Sequence, residues 1–140
     1  MRQKTYTQLT IGLSHSETMT VEDKHTVPNV AREWRGFHDM PPVFATALMI
    51  GFVEQTCIQA LRPFLPEGQQ TVGTHIDMSH SIPTPVGESI TAHISLISIE
   101  GRKLRFSVQC EDRNAEIGHG FHERAIINTE SFMARIKKET

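Results

Sequence analysis

Val43-Phe-Ala-Thr-Ala-Leu-Met-Ile-Gly-Phe-Val-Glu-Gln-Thr-Cys-Ile-Gln-Ala-Leu61 is the most apolar stretch of the chain and decides its architecture. Pro41-Pro42 stands before it, and Pro63, Pro66 and Gly68 follow it. A proline fits the first turn of a helix, where no amide donor is needed, and breaks one further along. The segment is therefore read as a helix from about Val43 to Arg62. It is apolar nearly all round, which predicts a central, buried helix. One stripe at helical spacing runs Phe44, Ala47, Gly51, Glu54, Ile58, Leu61. Glu54 is the exception in it. A desolvated carboxylate costs several kcal/mol unless paired. Glu54 is thus either a group of perturbed acid, base or nucleophile chemistry, or a structural partner of a basic residue or backbone donor.

Beyond the helix the texture changes to period two. Strands are expected over Thr71–Ser81, Glu88–Ile99, Lys103–Glu111 and Glu116–Asn128, with a short terminal strand at Phe132–Ile136. Pro83-Thr-Pro-Val-Gly87, Glu100-Gly101 and Asp112–Ala115 read as the turns between them. The strand from Thr71 should place Val72, Thr74, Ile76, Met78 and His80 on one face, and the strand from Glu88 Ile90, Ala92, Ile94, Leu96 and Ser98. Gly118 and Gly120 share a face of the last strand, where missing side chains let another backbone approach. Before the helix, Ser16–Val27 reads as a strand, and Pro28–Met40 is an irregular segment holding Trp34, Phe37 and His38. One early helix followed by antiparallel strands is an α+β pattern, a curved sheet wrapped around a long helix.

With 140 residues the chain is read as one domain, 1–140, large enough for a real core. Its net charge of −2, with signs interspersed, suggests no nucleic-acid surface and no membrane steering. The apolar run is too short and interrupted to span a bilayer, and the first residues carry no signal-peptide pattern. Cys57 and Cys110 form no framework and are expected as free buried thiols. The expectation is a soluble cytoplasmic protein.

Four histidines, His75, His80, His119 and His122, suggest a metal site, yet each close pair falls on opposite strand faces, so no metal is expected. His80 is the one to watch. It ends the apolar face of its strand: if that face meets the helix, His80 points to the same interior as Glu54 and serves beside it as a base near neutral pH, and otherwise it is a strand-end residue with its ring in water. Thr46 is the other polar group on the helix. Its hydroxyl can fold back on a preceding carbonyl, or serve a site together with the free amides of the helix N-terminus. Thr46 and Glu54 lie about 12 Å apart along one helix axis and cannot touch. A two-fold dimer, Thr46 of one protomer meeting Glu54 of the other, would join them in one site.

The segments Val43–Thr46, Gly51–Cys57, Val72–Thr74, His80 with Thr84–Gly87, Glu100–Leu104 and Glu116–Ile126 resemble the hotdog-fold acyl-CoA thioesterases, above all the fluoroacetyl-CoA-specific type. The similarity covers Pro42 to the C-terminus. It implies a hotdog fold, a homodimer with active sites at its interface, an acyl-CoA substrate and no metal or other cofactor, with assemblies beyond the dimer left open. It implies the catalytic set Thr46, Glu54 and His80, with Gly73 and Arg124 binding substrate. Phe37 and Met40 fall where aromatic residues cover the acyl group in that family. Methionine in place of the lid phenylalanine implies an acyl range that extends to other short-chain or aryl groups.

The resemblance implies hydrolysis of a short-chain acyl-CoA thioester, fluoroacetyl-CoA among the candidates. Thr46 would polarise the carbonyl, and Glu54 would act as base or nucleophile with His80 paired to it. Arg102, Lys103 and Arg105 are either coenzyme A phosphate ligands or a solvated turn. A hotdog hydratase and a non-catalytic acyl-CoA-binding module are the alternatives.

Overall fold

The first long helix begins at Thr46 rather than Val43, because the two preceding residues are drawn into backbone pairing. Val43 bridges to Pro85 and Phe44 to Thr26, and the Phe44 amide donates to the Thr84 carbonyl at 2.8 Å. α1 then runs Thr46–Leu61 and passes into a tight turn at Arg62–Phe64, where Pro63 sits. The computed structural model describes residues 8–139. Around α1 lie β1 (Ser14–Thr20), β2 (Gln69–Met78), β3 (Ser89–Glu100), β4 (Lys103–Glu111) and β5 (Glu116–Asn128). They form one antiparallel sheet in the order β1-β3-β4-β5-β2. β1 and β2 are its edges.

The alternation read in β3 and β4 puts Ile90, Ile94, Leu96, Leu104, Phe106 and Cys110 inward, and all are buried against Met49, Val53, Cys57 and Leu61 of α1. Each large apolar side chain so buried contributes roughly 1.5–3 kcal/mol. Burial pushes both free thiols, Cys57 and Cys110, up to about 12, so both remain inert.

Four expectations need correction. β1 stops at Thr20, and the chain continues through short 3₁₀ turns at Asp23–His25 and Val27–Asn29. Phe132–Ile136 is not a strand but the middle of α2 (Thr129–Glu139). Its start is capped by Asn128, whose side-chain oxygen accepts from the Ser131 amide at 2.9 Å, and local capping outweighs the apolar alternation. Bulges interrupt β2 between Gly73 and His75 and β3 between Leu96 and Ser98. A bulge reverses which side chains face inward, so Gly73, Ile76 and Met78 share the helix side while Val72 does not. By the same shift Ile99, not Ser98, joins the inner face of β3.

The fourth correction concerns α1 itself. The sheet covers only one side of it. Ala47, Gly51, Glu54 and Ile58, the middle of the apolar stripe, are open or half-buried in the protomer, and a methyl group added at Gly51 meets nothing within 4 Å.

The close approach expected at Gly118 and Gly120 is present. A Cβ on Gly120 would stand 1.9 Å from the Asp77 carbonyl oxygen and 2.7 Å from Met78 Cα, both backbone atoms. Gly120→Ala should therefore part β2 from β5 and lower stability by about 3 kcal/mol, the upper range for an overpacked site. A thermal midpoint unchanged from the parent protein would contradict this packing.

Candidate active site

Two polar clusters lie on the helix side of the sheet. At the N-terminus of α1, Thr46 Oγ1 and His80 Nδ1 share a hydrogen bond of 2.7 Å. Thr46 does not fold back on its own helix, as Thr56 does onto the Phe52 carbonyl at 2.8 Å. The Ala45 carbonyl takes the amides of Leu48 and Met49, which leaves the Thr46 and Ala47 amides as the unspent donors of the first turn. His80 lies past the end of β2, its ring edge-on to Phe44. Its Nε2 is buried and has no hydrogen-bond partner among the described residues. Burial pushes its pKa below the usual histidine value, and the nearby Ile82 backbone offsets this only in part. His80 is therefore neutral near pH 7, the form that can accept a proton.

The second cluster sits two turns further along. Arg124, on the inner face of β5 and 3 % exposed, is met from four directions. Its Nε donates to Thr71 Oγ1 (2.8 Å), Nη2 to the Thr71 carbonyl (2.9 Å), and Nη1 to Glu54 Oε1 (3.1 Å) and His122 Nε2 (3.1 Å). Glu54 is not desolvated in the protomer, as its helix stripe had suggested: its side chain is 40 % exposed. The opened face of α1 is the reason. Gly73 stands opposite Arg124 across the β2–β5 pair, at the bulge. A Cβ there would lie 2.6 Å from Glu54 Oε1, 3.3 Å from Arg124 Nη1 and 3.4 Å from His122 Cε1. The carboxylate occupies the space that a side chain at position 73 would need. A cleft of about 420 Å³ opens here, lined by Ile50, Glu54, Gly73, Thr74, His75, Ile76 and His122.

Thus Thr46 and His80 come together, and Glu54, Gly73 and Arg124 come together, but the two groups do not meet within one protomer. His80 pairs with Thr46 rather than with the Glu54 of its own chain. Phe37 packs edge-on against Trp34, and Met40 is exposed. Arg105 is engaged by Glu123 (2.5 Å) and lies over the Phe121 ring, which argues against a phosphate role for it, while Arg102 and Lys103 are exposed at the β3–β4 turn. Among the described residues no three of the His, Cys, Asp and Glu side chains converge as a metal site, and no helix is long and apolar enough to cross a membrane.

His122 and Thr71 were missed as members of the site. The available signal was in β5, where His122 and Arg124 take successive inward positions opposite buried Phe106 and Leu104. Two adjacent polar residues on a core face require acceptors and donors there.

The profile of the fluoroacetyl-CoA-specific thioesterase family matches residues 21–130. The fluoroacetyl-CoA thioesterase of Streptantibioticus cattleyicolor is 37 % identical over 130 residues, covering 93 % of this chain and 94 % of that one. A solved structure of a fluoroacetyl-CoA thioesterase mutant in complex with acetyl-CoA is 36 % identical, with a TM-score of 0.91 over 94 % of this chain and 99 % of that one. A thioesterase-superfamily protein of Thermus thermophilus, 22 % identical over 93 % and 94 % of the two chains, shares the fold with a TM-score of 0.81. A hot-dog-like protein of Thermanaerovibrio acidaminovorans, at 21 % identity, superposes with a TM-score of 0.79, covering 92 % and 91 %.

The seat of Glu54 has a direct test. Gly73→Ala clashes with the movable end of Glu54 and presses on Arg124 Nη1 by only a few tenths of an ångström, so the fold should persist with a thermal midpoint within a few degrees of the parent. The Glu54–Arg124 contact should open, visible as a displaced carboxylate in a crystal structure of the variant. An unmoved Glu54 would refute the steric account.

Proposed function

The chain belongs to the fluoroacetyl-CoA-specific thioesterase family and is a thioester hydrolase, and we propose that it cleaves short-chain acyl-CoA at a site shared by two protomers. The observation that carries the shared site is the separation of the two clusters. Each protomer holds half of a hydrolytic set, and the open stripe of α1 and the β2 edge lie beside the Glu54 half. A two-fold partner covering this face would bring its own Thr46 and His80 toward Glu54. The same contact would bury the Ala47–Ile58 stripe and account for Gly51, which costs roughly 1 kcal/mol in a helix interior.

In that site the acyl group lies between helix and sheet. The Thr46 hydroxyl and the free amides beside it polarise the thioester carbonyl and hold the oxyanion that forms. Glu54, held at Oε1 by Arg124, takes a proton from water as the water oxygen attacks the carbonyl carbon. The tetrahedral adduct then breaks its C–S bond, and the leaving thiolate receives a proton through the His80–Glu54 pair. Alternatively Glu54 attacks first, expelling the thiolate and forming a mixed anhydride that water hydrolyses. Either route ends in free acid and coenzyme A, each step carried by protein groups and water. Phe37 and Met40, on the segment leading to Thr46, cover the acyl group. The flexible methionine widens the acyl range beyond fluoroacetyl. The proposed setting is a cytoplasmic homodimer acting on soluble acyl-CoA.

Thiol release from acetyl-, fluoroacetyl-, propionyl- and benzoyl-CoA tests this reading. Hydrolysis of at least one substrate should fall roughly 100-fold or more in Glu54→Gln. A panel left intact by a folded dimer would favour an acyl-CoA-binding module, and water added to an enoyl substrate with its thioester intact would favour a hydratase. Subunit mixing tests the shared site. Thr46→Ala and Glu54→Gln proteins, each inactive alone, should regain about one quarter of the parental rate when exchanged. Half of randomly mixed dimers are heterodimers, and each carries one intact site of two. No recovery after verified exchange would place both residues in one chain's site.

A further inference from the structure

Beside the Glu54–Arg124 pair lies a histidine that the reaction above does not use. His122 is 2 % exposed, on the inner face of β5. Its Nδ1 is 2.7 Å from the His75 carbonyl oxygen, which can only accept, so Nδ1 carries the ring proton. Nε2 is then a lone pair, and it accepts from Arg124 Nη1 at 3.1 Å. The same Nη1 donates to Glu54 Oε1 at 3.1 Å, and His122 Nε2 stands 4.0 Å from that oxygen. One guanidinium nitrogen thus serves two acceptors. Two bonds to Thr71 fix the far side of the guanidinium, and His122 fixes the near side.

Resting on the thioesterase reading, we propose that His122 is a positioning residue: its Nδ1–H tautomer, set by the His75 carbonyl, offers Nε2 to Arg124 and so aims the guanidinium that holds Glu54. It acts through Arg124 and touches no reacting atom. The charged and titratable groups facing it are Arg124 on its own strand, Glu54 on α1 and His75 on β2, while its β4 neighbour Phe106 carries no charge. Burial above all, with Arg124 and His75 in support, lowers its pKa, against the raising pull of the His75 carbonyl and Glu54. Below that pKa, protonation would turn Nε2 into a donor facing the Nη1 donor, cation against cation. The clamp on Glu54 therefore holds at neutral pH and is lost in acid.

Two substitutions separate the roles of the ring nitrogens. The Gln side-chain oxygen reaches the Nε2 position, whereas Asn reaches only Nδ1. His122→Gln should keep kcat within about fivefold, and His122→Asn should lose about 10- to 100-fold, the scale for removing a supporting partner of a site residue. KM should change far less than kcat, and both variants should melt at similar temperatures. In His122→Gln the acid limb of the kcat/KM profile should lose one proton of steepness, which a merely structural role would not cause. Equal kcat in the two variants, or losses that only follow the melting temperature, would overturn the proposal. An arm without turnover uses ¹H–¹⁵N spectra of the protein itself. The ring of His122 should show the Nδ1–H tautomer, and the Arg124 Nε resonance should move in His122→Asn but not in His122→Gln. An unmoved resonance in the Asn variant, or an Nε2–H tautomer, sinks the idea. If no acyl-CoA is hydrolysed by the parent protein, the thioesterase reading fails by itself, and these spectra still decide the role of His122.

Discussion

A guanidinium withdrawn from water must find an acceptor for each donor it turns inward, and around Arg124 that demand organises this end of the molecule. Thr71 is engaged by both hydroxyl and carbonyl, which ties β2 to β5 at the level of the bulge. Glu54 is drawn down from α1, which ties the helix to the same strand pair. His122 supplies the remaining acceptor with a ring whose proton is already committed to β2. The four bonds share one guanidinium, so the aim of each depends on the others.

The second cluster obeys a different rule. Thr46 sits where the first turn of α1 has amides to spare, and its hydroxyl bonds His80 beside them. Among the described residues nothing accepts from them. Thr46 and Glu54 lie eight residues apart on one helix, and in the shared site proposed above the rise of the helix over those residues would set the offset that a partner has to match.

The fold was legible because its strongest signals are repetitive. Leu104, Phe106, Val108 and Cys110 alternate without fault, and β4 and β5 fall where period two puts them. The proline-bounded helix and the two glycines of β5 were equally plain. The failures came where a single residue breaks the repeat. A bulge leaves no mark in composition, so a strict period of two puts Val72 and Thr74, before the bulge of β2, and Ser98, beyond the bulge of β3, on the wrong face. The terminal helix was misread because Phe132 and Ile136 suit either element, and one capping contact from Asn128 decides between them. The pairing of Glu54 with Arg124 lies 70 positions apart in the chain and rests on register rather than on pattern. His122 was visible only as one of four histidines, whereas its meaning lies in an inward position beside Arg124. The open side of α1 leaves no mark in the apolar pattern, since an apolar stripe reads alike whatever covers it; only the spacing of Thr46 and Glu54 hints at it.

The empty place at Gly73 has a longer reach than its own strand. An oxygen of Glu54 fills the volume that any Cβ there would claim. The two positions are therefore not free to change independently over evolutionary time. A side chain acquired at position 73 while Glu54 is present evicts the carboxylate, and the strand itself survives to carry the loss. A lineage exploring other chemistry on this scaffold would have to shorten the acid first, as in Glu54→Asp, and only then fill the strand. The order of such steps is imposed by volume alone, and the reverse order passes through a folded protein with a misplaced acid.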